Sequence, residues 1–258
     1  MITHGIIRSI GADIKSLVKK AKNKADYLEL YPAPLVTRED VELIINNELG
    51  FQFHENPVFP LFRAVDRELF YQDKLRVLKD CVKLLADYNG NQLLIHTPQL
   101  MYFPSGDLIR LFELGINKLY PYCESKGVTL SIELLDGFSF PLLHYLMKKN
   151  DWPNIRVTYD FRRSPLMSYK AGVEEISEDF TTFLDLISSF HTIYIGRTEE
   201  RRGGAIGKIE PAEKINNFKR LLESLKFFNW SGGITCEHPD SSWAIKMVKR
   251  TNKYLEDL

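Results

Sequence analysis

The sequence predicts an α/β chain folded as a single (β/α)8 TIM barrel, and three observations carry that reading. Three apolar-rich runs alternate with period two and stop on an acid: residues 127–133 (GVTLSIE), 155–160 (IRVTYD) and 232–237 (GGITCE). Strand side chains alternate between faces, so Thr129, Ser131 and Glu133 share one face, as do Arg156, Thr158 and Asp160, and Gly233, Thr235 and Glu237. Leu130, Ile132, Val157, Tyr159, Ile234 and Cys236 take the other face, which needs helices against it. Second, strand and helix signals alternate eight times, with no linker, low-complexity segment or short repeat between them. Third, 258 residues of 44% hydrophobic content can bury one large core and match the usual length of such a barrel. Residues 1–258 therefore read as one domain, with its acids at the carboxyl ends of the strands.

In chain order, a strand over 5–8 leads into a helix over 12–22, where Ile14, Leu17 and Val18 form a helical stripe. The run 26–31 (DYLELY) is the second strand. Pro32 and Pro34 end it, and Thr37 with Asp40 three residues on is a helix-entry signature for VELIINNELG, with Gly50 as its stop. Strand three covers 51–54 and ends at His54; the segment 56–63 (NPVFPLFR), with two prolines, is a loop at the carboxyl end. A helix over 66–88 carries Leu78, Cys81, Val82 and Leu85 on one stripe and stops at Asn89-Gly90. Strand four (92–96, QLLIH) ends at His96. Ser105 and Asp107 open a helix with Leu108, Phe112, Ile116 and Leu119 inward, which Pro121 is expected to kink or shorten before strand five. The remaining expectations are a helix over 140–149, strand six over 154–160, a long helix over 173–189 and strand seven over 192–196. A helix from Pro211 striped by Ile215, Phe218, Leu222 and Leu225, strand eight over 232–237 and a last helix over 241–258 complete the count.

Composition narrows the function. Lys+Arg and Asp+Glu are 34 each, so the chain has no overall attraction to phosphate backbones or anionic membranes, and nucleic acid is not an expected partner. Cys81, Cys123 and Cys236 form no CxxC pair and read as buried thiols of a reducing compartment. Neither a signal-like N-terminus nor an apolar run of membrane-spanning length is present, so a cytoplasmic protein is expected. The oligomeric state is not legible.

The order IHTP, GVTLSIELLDG, VTYDFRRSP, a Gly-rich segment and then GGITCEHPD resembles the xylose isomerase-like barrels. That superfamily includes sugar and sugar-phosphate isomerases and epimerases, and endonuclease IV. In its epimerase branch a Glu, an Asp, a His and a second Glu on four successive strands bind one divalent metal, and the two glutamates move the proton. The resemblance implies Glu133, Asp160 and Glu237 as metal ligands, with His96 an additional candidate, and Glu133 and Glu237 as the catalytic pair. It sets the His position on Tyr194, in TIYIGRTEERRGG, and a further family His position on Arg163, three residues beyond Asp160. His54 and His96 end their strands where relatives place ligands or substrate contacts. The three-metal cluster of the endonuclease branch needs several more histidines than these positions supply.

Physical chemistry poses the same choice. Three carboxylates at one mouth repel by roughly 3 kcal/mol per pair at ~5 Å and an effective dielectric of ~20, so something positive must sit among them. A divalent cation, Mn or Mg by the oxygen-rich ligation, is one solution; Arg163, Arg197, Arg201 or Arg202 folded into the mouth is the other. With a metal, Glu133 and Glu237 would exchange a proton alpha to a carbonyl, as in a sugar or sugar-phosphate isomerase or epimerase. The substrate contacts would then be His54, His96, Arg163, Tyr194, Arg197, Arg201 and Lys208, the 201–208 segment (RRGGAIGK) offering backbone N–H groups and cations to an anionic group. Without one, the chain would be a non-catalytic barrel binding an anionic metabolite through Arg163 and the Arg201-to-Lys208 loop. His191 and His238 are assigned supporting positions outside the ligand set.

Overall fold

Eight parallel strands close into a barrel in sequence order: β1 (Ile2–Ile7), β2 (Tyr27–Leu30), β3 (Gly50–His54), β4 (Gln92–His96), β5 (Thr129–Glu133), β6 (Arg156–Asp160), β7 (Ile187–Thr192) and β8 (Gly232–Cys236). β1 pairs with both β2 and β8, which seals the ring. Among the described residues seven α-helices surround it: α1 (Ile14–Ala21), α2 (Arg38–Ile45), α3 (Leu69–Asp87), α4 (Gly106–Ser125), α5 (Phe140–Asn150), α6 (Ala212–Phe227) and α7 (Ser241–Asp257). The computed structural model describes residues 1–7, 13–32, 36–55, 69–98, 106–134, 140–160, 183–192, 212–237 and 240–258.

The sequence alternation decides which way each strand faces. Leu28, Leu30, Phe51, Phe53, Leu93, Ile95, Leu130, Ile132, Val157, Ile234 and Cys236 are buried in one apolar cluster with helix residues such as Ile44, Leu78, Leu85, Phe112, Leu143 and Val248. Each such side chain contributes about 1.5–3 kcal/mol by leaving water, and this layer holds helices to sheet. Helix entry follows the local code. Asp13 accepts from Ser16 N at the start of α1, Asp240 accepts from Ser242 N at the start of α7, and Thr37 and Asp40 form a reciprocal capping box on α2.

Inside the barrel most side chains are polar, Leu94 and Ile7 being apolar exceptions. Thr158 Oγ1 lies 2.8 Å from Ser131 Oγ and 2.7 Å from Ser189 Oγ, Gln92 Nε2 donates to Ser189 Oγ at 3.1 Å, and the Tyr27 hydroxyl meets Thr235 Oγ1 at 2.8 Å. Tyr27 supplies the bulk of this layer because its neighbours give way. A Cβ on Gly5 would sit 2.2 Å from the Tyr27 ring, and one on Gly233 would sit 2.5 Å from its hydroxyl. The layer separates the two mouths. A cavity of about 500 Å³ opens at the N-terminal one, lined by Thr3, Asp26, Gln92, Arg156, Ser188 and Gly232 among others, away from the strand-end acids.

Four local expectations are corrected. Strand seven is Ile187–Thr192, entered from a short 3-10 turn at Leu184–Leu186, so the expected helix over 173–189 does not extend through its last residues and the expected strand over 192–196 begins too late. Pro121 does not shorten α4, which runs past it to Ser125, since buried Leu119, Tyr120 and Cys123 hold the final turn despite one lost backbone hydrogen bond. α2 ends at Ile45 and the chain turns at Glu48 (φ 61°), leaving Gly50 to start β3. β1 begins at Ile2, three residues earlier than the apolar signal suggests, because Thr3 and His4 join the ladder to Gly233 and Ile234.

Candidate active site

Seven ionisable side chains gather at the C-terminal mouth, one from each strand but β1: Glu29, His54, His96, Glu133, Asp160, His191 and Glu237, the last just beyond β8. All but Glu237 are at most 2% exposed. They share the inward parity of the polar layer beneath them, and strand register sets neighbours: His96 lies beside Glu133 and Asp160 beside His191.

Glu133 is the centre. Its Oε2 lies 3.1 Å from His54 Nε2, 3.3 Å from His96 Nε2 and 3.5 Å from His191 Nδ1, while the two Nε2 atoms are 3.1 Å apart. His191 Nδ1 also lies 3.1 Å from Glu237 Oε1, so one imidazole nitrogen stands between the two glutamates of β5 and β8. Behind this arc are two further carboxylates. Glu29 approaches His54 Nδ1 at 2.7 Å and His191 Nε2 at 3.2 Å, and Glu55 approaches His96 Nδ1 at 3.5 Å with Lys74 of α3 at 3.7 Å on its other side.

Charge pairing dominates the electrostatics. Burial alone would raise each carboxyl, but the charges of His96 and His191, together with hydrogen bonds from His54 and His96, hold Glu133 well below the usual range, and Glu29 and Glu237 are lowered for the same reason. Burial alone would lower the imidazoles. Glu133 and then Glu55 instead push His96 up to about 9, Glu29 and Glu133 raise His54, and Glu29 and Glu237 raise His191 well above its ordinary value. The acids are thus kept ionised by histidine, where sequence reading allowed only metal or arginine.

The donors also fit a cation. Glu133 Oε2 and His191 Nδ1 are buried without an aligned hydrogen bond, although each has charged neighbours within 3.5 Å. Two overlapping donor sets have atoms within 4.8 Å of one another, Glu29, His54, His191 and Glu237 in one, and His54, His96 and Glu133 in the other. Mixed imidazole and carboxylate donors suit Mn, Zn or Co as well as Mg.

The family model for the xylose isomerase-like TIM barrel matches residues 34–258. The chain belongs to that family. Among solved structures, a D-tagatose 3-epimerase-like protein is similar at 16% identity, covering 99% of this chain and 98% of that one with a TM-score of 0.71. An L-ribulose 3-epimerase gives 14%, 100%, 95% and 0.70, and a D-psicose 3-epimerase from Clostridium cellulolyticum H10, described with D-tagatose, gives 16%, 99%, 97% and 0.66. At such identities the likeness is one of fold. No curated protein matches this chain in sequence.

Within this xylose isomerase-like barrel, the structure brings together His54, His96, Glu133, Asp160 and Glu237 from the sequence candidates. Arg163, Tyr194, Arg197, Arg201, Arg202 and Lys208 lie outside the described residues. The inward residue at the end of β7 (Ile187–Thr192) is His191, which sequence reading leaves outside the ligand set; Tyr194, its candidate for that position, lies outside the described residues. Sequence reading also missed Glu29 and Glu55. Parity flags Glu29, a carboxylate between Leu28 and Leu30 on a strand whose leucines face the helices, whereas Glu55, one residue past β3, carries no periodic signal.

Proposed function

We propose that this chain is a sugar or sugar-phosphate isomerase or epimerase that moves a proton alpha to a carbonyl. The observation that carries the reading is the pair Glu133 and Glu237. They reach the same mouth from β5 and β8, non-adjacent strands, and are bridged by one imidazole, His191. Two ionised carboxylates approaching from different sides suit removal of a proton from one face of a carbon and delivery to the other.

Glu133, Asp160, His191 and Glu237 would hold one divalent ion, which supplies electrophilic polarisation of a substrate carbonyl and its neighbouring hydroxyl. The residues do the rest. One glutamate accepts the proton from the carbon beside the carbonyl, leaving an enediolate, and the other returns a proton to the opposite face, giving the epimer; return to the adjacent carbon gives the isomer. His54 and His96, 3.1 and 3.3 Å from Glu133 Oε2, keep that carboxylate ionised. The metal-free anion binder, motivated by Tyr194 and Arg163 at two family His positions, is not favoured, because His191 supplies a histidine on strand seven.

The test is turnover. Protein supplied with Mn, Mg or Co is incubated with ketoses and their phosphates, and products are resolved by chromatography. Epimer or aldose formation, lost in both Glu133→Gln and Glu237→Gln, is expected. Metal-loaded, folded protein that converts none of a broad panel would overturn the reading.

A further inference from the structure

Among the described residues Glu29 is the most enclosed acid, at 0% exposure, and it has no part in the proton transfer above. Its Oε2 accepts from His191 Nε2 at 3.2 Å, from Thr235 Oγ1 at 3.0 Å and from Gln52 Nε2, and its Oε1 lies 2.7 Å from His54 Nδ1. Three polar partners from β3, β7 and β8 thus fix one carboxylate against two imidazoles. Both imidazoles turn their other nitrogen toward Glu133: His54 Nε2 at 3.1 Å and His191 Nδ1 at 3.5 Å, the latter also 3.1 Å from Glu237.

An ionised carboxylate only accepts, so it selects the imidazole tautomer that presents N–H to it and leaves the lone pair on the far nitrogen. We infer that Glu29 is a positioning residue that keeps the proton on His191 Nε2, so that His191 Nδ1 is the nitrogen offered to an ion beside Glu133 and Glu237. This inference rests on the metal-dependent reading above. Glu29 is not itself a ligand of that ion, although its oxygens lie within 4.8 Å of donor atoms of His54, His191 and Glu237. In this assignment Glu29 meets Nε2 of His191 whereas Glu237 meets Nδ1. Carboxylates so placed raise ligand basicity and fix ring orientation, and their loss typically weakens metal binding about 10- to 100-fold.

The experiment titrates Mn and Zn into chelator-stripped wild type, Glu29→Gln and Glu29→Asp by calorimetry, and reads histidine 15N shifts in the zinc-loaded proteins. Wild type is expected to show His191 protonated at Nε2 and zinc-bound at Nδ1. Glu29→Gln, whose amide can also donate, is expected to bind about 10- to 100-fold more weakly with mixed His191 tautomers, and Glu29→Asp to recover part of the affinity. Wild type that binds with His191 ligated through Nε2 overturns the inference even if no variant folds. So does Glu29→Gln binding as tightly as wild type with unchanged tautomers, which leaves the functional reading standing. Wild type that binds neither ion overturns the metal-dependent reading and this inference with it.

Discussion

In the metal-free protein the His96 imidazole ties stability to pH with a sign opposite to that of metal binding. Its ring is 2% exposed; burial lowers its affinity for a proton, but Glu133 of β5 and Glu55 beside β3 reverse this and raise its pKa to about 9. Against an unfolded value near 6.5, two and a half pH units at 1.36 kcal/mol each give about 3 kcal/mol. Because the folded pKa is the higher one, that contribution is fully present below pH 6.5 and is lost as pH rises through about 9. His54 and His191 are raised as well and act in the same direction, and Lys74 faces Glu55 from α3. Glu29, Glu55, Glu133 and Glu237 are lowered, so their contributions are present above the ordinary carboxylate value and fade in acid. Urea unfolding of chelator-treated protein should therefore show greatest stability at about pH 5 to 6.5 and a decline toward pH 9.5. His96→Gln should remove about 3 kcal/mol of that decline. With saturating Mn the trend should reverse, since protons compete with metal for imidazole. Metal-free stability that stays level or climbs from pH 6.5 to 9.5, with wild type and His96→Gln superimposing, would refute the charge assignment.

Three further outcomes follow. His191→Ala should abolish stoichiometric metal uptake, measured by elemental analysis after gel filtration, whereas Tyr194→Phe should leave it unchanged; the converse result would return the strand-seven position to Tyr194. Gly233→Ala places a methyl 2.5 Å from the Tyr27 hydroxyl, so thermal unfolding should show a loss of about 1–3 kcal/mol. Removing that hydroxyl in Gly233→Ala/Tyr27→Phe should recover part of the loss, and a fully stable single variant would mean that Tyr27 does not fill the barrel as described.

Most of the barrel was legible because its outward strand positions are apolar and alternate strictly. QLLIH and VTYD could be placed on β4 and β6 to within a residue or two on that pattern alone. Strand seven was not. In ISSFHT the inward residues Ser189 and His191 are polar, and the pairing slips between Val157 and Thr158, so Ser188 breaks the alternation. The neighbouring TIYIG has stronger β propensity and drew the assignment three residues and more downstream. The candidate site suffered the same error once. The acids closing β5, β6 and β8 stood out at matched parity, while His191 was set aside with its strand misplaced. Glu29 was hidden by its own strand, because DYLELY was read for its apolar residues rather than for the carboxylate between them.

The central claim, that Glu133 and Glu237 move a proton alpha to a carbonyl, is tested most directly by isotope exchange. Metal-loaded protein is incubated in D2O with D-tagatose, D-psicose, L-ribulose and ketose phosphates, and deuterium at the carbon beside the carbonyl is followed by NMR. Wash-in is expected for at least one ketose, with a loss of about 10²- to 10⁴-fold in Glu133→Gln and in Glu237→Gln. Deuterium that enters at the wild-type rate in either variant, or fails to enter any substrate with folded, metal-loaded wild type, would contradict it.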